Sequence, residues 1–290
     1  MAAPTVHARK WRLPSDFSQI EAVTRVEFVR NLRRKRLLIF MIIIILVSAL
    51  VLSVPPFYGG YPDNPILGPY QFAQYFTSAI NFLVILLAVF YGGDALVSEF
   101  SNRTGYAIFP NPIRRSSLFL GKLFASMLAC ILILGVYYLI IAVSMAIIYQ
   151  RLVVELVYSF AYALLYMAAC LGVAFLISAS MRSTVSALVL TFVLFLFIFS
   201  MISGILMVFG VRTEPLLTFQ AGVISGFLNG PYPESFPSPQ IPLGRIPGGG
   251  GLELVIHNPT VVHGIAICLD WLLVSLLLAY IMFRRREMLG

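Results

Sequence analysis

The sequence predicts an all-α, polytopic membrane protein with six transmembrane helices. Composition is the first observation. Of 290 residues, 60% are hydrophobic and 11% charged, and the mean hydropathy is +0.92, whereas soluble domains average roughly 45–50% apolar and about 25% charged. The second is six apolar runs, Leu37–Val54, Ala73–Val97, Leu118–Tyr149, Leu152–Ala179, Val185–Val211 and Thr260–Phe283, close to or beyond the roughly 20 residues that cross a bilayer. They read as helices because in lipid every backbone N–H and C=O must find its partner within the segment. The third is charge asymmetry. With the N-terminus in the cytoplasm, 17 of the 20 Lys and Arg lie inside, and only Arg151, Arg212 and Arg245 fall outside. That is the positive-inside pattern, with both termini cytoplasmic in the cell membrane.

Residues 1–36 form the cytoplasmic N-terminus. From Ser15 to Arg36 the pattern is helical: Phe17, Ile20, Val23, Val26, Val29 and Leu32 recur every three residues, and Ser18 and Glu21 have capping-box spacing. Arg25, Arg30, Arg33, Arg34, Lys35 and Arg36 crowd its second half. A basic amphipathic helix feeding a span is expected to lie in the headgroup plane. The leader before the first run is too long for a signal peptide and has no clear cleavage site, so that run is kept as a mature helix. The six-span domain covers residues 37–283, with an inner loop at 98–117 and an outer one at 212–259, and residues 284–290 are a cytoplasmic tail. Only Gln150-Arg151 separates the third and fourth runs, which predicts a helical hairpin.

In the outer loop, Pro215 to Asn229 is moderately apolar and too short to span; it is expected to enter the outer leaflet, lie at its surface or pack over the helix ends. Six prolines between Pro231 and Pro247, then Gly248 to Gly251, read as turn and extended structure. Enzyme signatures are missing. Gly121-Lys122 is followed by Leu123 with no glycine five residues before, so it is no P-loop. His257 and His263 are off the spacing of a metal pair, so no metal site is expected, and Ser203-Gly204 has no positioned base. Cys130, Cys170 and Cys268 lie in apolar runs without a Cys-x-x-Cys spacing. The net charge of +8 is membrane-side basicity toward anionic lipid, not a nucleic-acid footprint.

Within the spans, Gln71, Gln74, Ser78 and Asn81 share a helix face by spacing. They read either as interhelical hydrogen bonders or as the lining of a path, with aromatics such as Phe192 and Phe195 as further wall. Asp270 is the one acid well inside a span. An unpaired charge there costs at least about 2.5–3.5 kcal/mol, so a partner or a wet cavity is expected beside it.

The most informative stretch runs from Asp94 to Lys122. Gly92-Gly93 loosens the second helix, Glu99 marks its emergence into water, and Pro110-Asn111-Pro112 forces a turn. Tyr106 to Phe109 is an apolar knob, and Arg114-Arg115 form a charged rim, as suits docking to another protein. This stretch resembles that of the ABC-2 type transporter permeases. There, a Glu at the end of the second span leads to a Thr/Gly pair, a Pro, a basic residue and a Gly-Lys; here these are Glu99, Thr104-Gly105, Pro112, Arg114 and Gly121-Lys122. Thr precedes Gly, the reverse of the family's common order, and the interval from Glu99 is one residue longer.

The resemblance implies an elbow helix at the N-terminus and a coupling helix between spans two and three. Glu99, Arg103, Thr104, Gly105, Tyr106, Phe109, Pro112, Arg114, Arg115 and Lys122 would form the coupling site. It further implies two separate cytoplasmic ATPase subunits holding ATP and Mg2+, with no cofactor in this chain. A second permease chain, the same or a paralogue, and membrane lipids would complete the assembly. The implied function is an exporter permease for an amphiphilic cargo (lipid, glycan carrier, peptide or drug). The competing reading is a membrane-anchoring subunit that binds a cytoplasmic partner without moving solute.

Overall fold

The computed structural model describes residues 15–33, 35–57, 60–61, 66–101, 114–208, 213–228, 241–242, 253–254 and 260–285. Six helices in it are long and apolar enough to cross a membrane: Lys35–Ser53, Gly68–Glu99, Arg115–Tyr149, Glu155–Ser180, Thr184–Leu206 and Val261–Arg285. The chain is an all-α, polytopic membrane protein. Its only strands among the described residues are the two-residue pair Ile241–Pro242 and Glu253–Leu254, antiparallel with Ile241 opposite Leu254.

The second and fourth spans are the core, 78% and 72% buried over their apolar windows, against 17%, 22% and 17% for the first, fifth and sixth. Small residues explain the close approach. Gly92 of the second span lies against the fourth, where an added Cβ would stand 2.6 Å from that of Ala174. Gly172 of the fourth meets the sixth, where a Cβ would stand 2.5 Å from Ser275 Oγ. Such small-residue contacts let membrane helices approach closely enough for dispersion to hold them.

The second span is not one continuous α-helix. It runs as Gly68–Ser78 and Ile80–Leu87, widens into a π-turn at Ala88–Gly92, and resumes as Val97–Ser101. The N–H groups of Leu96 and Val97, which resume it, both donate to Ser178 Oγ of the fourth span at 3.0 Å. This hydroxyl replaces the intrahelical acceptors that a new helix start lacks. The third helix has 35 residues, about 52 Å at 1.5 Å each, so roughly 20 Å of it projects beyond a 30 Å hydrocarbon core.

Helix α1 (Asp16–Arg33) runs beside the first turns of that third helix. Asp16 and Gln19 meet Arg114, Thr24 meets Gly121, and Glu27 meets Lys122, so the two helices run in the same direction. Gly121 makes this possible, since a Cβ there would fall 2.6 Å from Val23 Cγ1. Two expectations change. The helix starts one turn earlier than the Ser18–Glu21 spacing suggests, with the Ser18 N–H donating to Ser15 Oγ at 3.3 Å. The apolar recurrence every three residues also does not make one face, because three residues turn only 300° on a helix of 3.6 residues per turn. Ile20 and Val23 turn in toward the third helix, while Val26, Val29 and Leu32 are exposed.

The stretch after Thr213 packs over the helix ends away from the basic end of the bundle. Leu217, Val223, Ile224 and Leu228 join the main core. Trp271 Nε1 donates to Pro215 O at 3.0 Å, and Ser159 Oγ to Ile224 O at 2.8 Å. The third-to-fourth turn is as the sequence suggests, with Gln150 taking the left-handed conformation (φ 51°) that ends the third helix.

Candidate functional site

Four charged side chains meet where α1, the end of the second span and the start of the third converge. Lys122 Nζ stands 2.6 Å from Glu99 Oε1 and 3.0 Å from Glu27 Oε1. Arg30 closes the group, paired with the other oxygen of Glu27 and 3.6 Å from Glu99. Two cations face two carboxylates, so the cluster is neutral as a whole. Glu99 is 2% exposed and Lys122 3%. The expectation that Glu99 marks emergence into water is therefore overturned; its carboxylate turns inward, toward α1. Ion pairs withdrawn from water persist only where each charge is matched; here each faces a counter-charge, with Arg30 Nε the one buried donor of the group that has no hydrogen-bond partner among the described residues.

A second pair lies one turn further in. Arg36, at the start of the first span, reaches Asp94 Oδ2 at 2.5 Å and donates to Phe90 O at 3.0 Å. Both contacts fall at the π-turn of Ala88–Gly92 and the break that follows it before Val97. Between the two groups lies a polar cleft of about 20 Å3, lined by Glu27, Arg30, Asn31, Tyr91, Asp94, Ala95, Ser98, Lys122 and Ser126, room for one water. The paired groups thus tie the first three spans and α1 into one body at the basic end of the bundle.

The other anticipated residues are distributed as follows. Arg114 forms an ion pair with Asp16 at 2.5 Å, and its backbone N–H donates to Gln19 Oε1 at 3.1 Å. Arg115 donates to the backbone oxygen of Arg284 at 2.8 Å, joining the third helix to the end of the sixth. Arg103, Thr104, Gly105, Tyr106, Phe109 and Pro112 lie outside the described residues. Asn81 accepts a hydrogen bond from Tyr166 OH at 2.8 Å, and Ser78, exposed, donates to Tyr75 O at 2.7 Å. Gln74 and Phe192 are half-buried, whereas Phe195 is fully buried against Phe199, with ring centroids 5.6 Å apart. Asp270 lies on the exposed side of the sixth span and has no ion-pair partner among the described residues.

Sequence reasoning missed Glu27, Arg30 and Arg36 as partners, reading the two arginines only as part of a basic face. One signal was available: Glu27 and Arg30 stand three residues apart, within reach on a helix. Nothing local pointed from Glu27 to Lys122, 95 residues away.

No curated protein matches the chain. The family model described as ABC-2 family transporter protein matches residues 24–200, more than half of the sequence. That segment runs from within α1 into the fifth span and contains all six charged residues of the two groups. A multi-pass helical bundle with this match is a membrane transport component, and the chain belongs to the ABC-2 transporter family.

Proposed function

We propose that the chain is the permease of an ATP-driven exporter, powered by two cytoplasmic ATPase subunits and completed by a second permease chain, identical or related. The observation that carries this reading is the buried cluster of Glu27, Arg30, Glu99 and Lys122. The loop between the second and third spans leaves from the two elements that this cluster joins. A push on the loop therefore reaches α1 and both spans together, because displacing one member strands a buried charge.

In this reading Arg103, Thr104, Gly105, Tyr106, Phe109 and Pro112 meet the ATPase, while Arg114 and Arg115 hold the base of the third helix. Glu99 and Lys122 are positioning residues behind that contact. ATP and Mg2+ reside in the partner. The exposed faces of the first and fifth spans, whose apolar windows are 17% and 22% buried, leave room for the second permease chain. Gln74, Ser78, Asn81 and Phe192 border the route of an amphiphilic cargo, a lipid, glycan carrier, peptide or drug, with Phe195 supporting that wall from behind.

Purification of the chain with its ATPase, followed by reconstitution in vesicles, tests this reading. Tyr106→Ser/Phe109→Ser is expected to lose the ATPase from the complex, and Arg114→Glu to keep it while weakening the dependence of ATP turnover on the permease. A complex in which neither change alters ATPase binding or turnover would assign the chain instead to anchoring.

A further inference from the structure

At the basic end of the bundle, the last turn of the fourth span, the residues after it and the last turn of the sixth enclose a shallow cleft of about 370 Å3. It is lined by Ala179, Ser180, Arg182, Met282 and Arg285. Both arginines are exposed. Of the other basic side chains at this end, Arg30, Arg36, Arg114 and Lys122 are matched to carboxylates and Arg115 to a backbone carbonyl, while Arg25, Arg33, Lys35 and Arg284 are exposed but do not line the cleft. Arg182 and Arg285 have no carboxylate partner among the described residues. Ser180 cannot serve as a donor in their place, since its hydroxyl donates to Leu176 O at 2.7 Å.

The surroundings of the cleft are apolar. Ala179 belongs to a buried cluster with Phe119, Phe175 and Phe283. Met282, Leu278 and Val274 follow one another at intervals of four along the exposed side of the sixth span, at 40%, 44% and 48% exposure. They make an apolar column about 12 Å long that leads from the cleft toward the middle of the helix. Two unmatched guanidiniums at the head of such a column fit an anionic amphiphile. The guanidinium fork matches phosphate oxygens, and the column offers contact to an acyl chain. An acidic protein segment would satisfy the arginines and leave the column unexplained.

We infer that this cleft binds the phosphodiester headgroup of an anionic phospholipid, held between Arg182 and Arg285, with one acyl chain along Met282, Leu278 and Val274. The site is separate from the ionic cluster at α1 and does not depend on the exporter reading.

Native mass spectrometry of the full chain in a neutral detergent tests this, with phosphatidylglycerol and phosphatidylcholine titrated separately. Tight retention of phosphatidylglycerol over phosphatidylcholine is expected. Arg182→Gln/Arg285→Gln should weaken it about thirtyfold, the effect of two cationic contacts near a membrane surface. Arg182→Lys/Arg285→Lys, which keeps charge but loses the fork, should fall between. Arg151→Gln, exposed in the turn at the opposite end of the bundle, serves as the control and should leave retention unchanged. Three results overturn the inference. One is an equal loss in the control or none in the cleft variant. Another is displacement of the lipid by millimolar glycerol phosphate, which marks a site for free phosphate. The third is a cleft variant that keeps its lipid but sheds a co-purifying protein.

Discussion

Replacing Lys122 with methionine keeps the length of the side chain and removes its charge from a place where solvent cannot compensate. The Glu99 and Lys122 side chains are 3% and 4% exposed, and that of Arg30 is 39% exposed. Lys122→Met leaves two carboxylates sharing one guanidinium, and the stranded one, Glu99, is 3.6 Å from its remaining cation. Removing one partner of a buried pair costs about 3–5 kcal/mol. Because Arg30 still provides partial compensation, about 3 kcal/mol is expected here. Glu99→Gln is expected to cost less, about 1–2 kcal/mol: Lys122 keeps Glu27 at 3.0 Å, and the surplus positive charge resides on Arg30, which reaches water. The double variant should be more stable than Lys122→Met alone, since it no longer buries an unmatched carboxylate. Unfolding by sodium dodecyl sulfate in mixed micelles gives the free energies for a double-mutant cycle. Equal costs for the two single variants, or a double variant whose cost is the sum of theirs, would refute the burial argument.

Two further predictions concern contacts that hold the same region together. Gly121→Val puts a side chain where a Cβ would already be 2.6 Å from Val23, so α1 should part from the third helix at a cost of about 1–3 kcal/mol. A disulfide cross-link between cysteines placed at Gln19 and Arg114, which meet across the two helices, should then form more slowly than in the otherwise unchanged chain. Ser178→Ala deprives the Leu96 and Val97 N–H groups of their acceptor, at about 1–3 kcal/mol for each buried donor left unmatched. Hydrogen exchange at these two amides should accelerate while that of Leu83 and Val84, more than three turns away in the same span, is unchanged.

The six spans were legible because a hydrocarbon solvent demands long apolar helices, a demand written residue by residue along the chain. So was the hairpin at Gln150, since two apolar runs with one polar break have few alternatives. Gly92-Gly93 signalled a discontinuity, and the second span does break there. Less was legible in α1. Its threefold apolar recurrence suggested a single lipid-facing stripe, but the helix period spreads those residues around the cylinder and leaves Thr24 and Glu27 facing the third helix. Glu99 was misplaced for a similar reason: an acid at the end of an apolar run resembles an exit into water whether or not another helix covers it.

What the sequence determined by itself is therefore whatever depends on solvent and on near neighbours: the membrane class, the number of spans, the tight turn, the broken second helix and the concentration of cations at one end. The tertiary structure decided which charges meet. Glu27 finds Lys122 across 95 positions and Arg36 finds Asp94 across 58, because Gly121 lets α1 lie close against the third helix, and Asp94 falls in the break that follows the π-turn of the second span. Coulomb attraction acts over a few ångströms of space regardless of separation along the chain, and those distances exist only once the helices are packed.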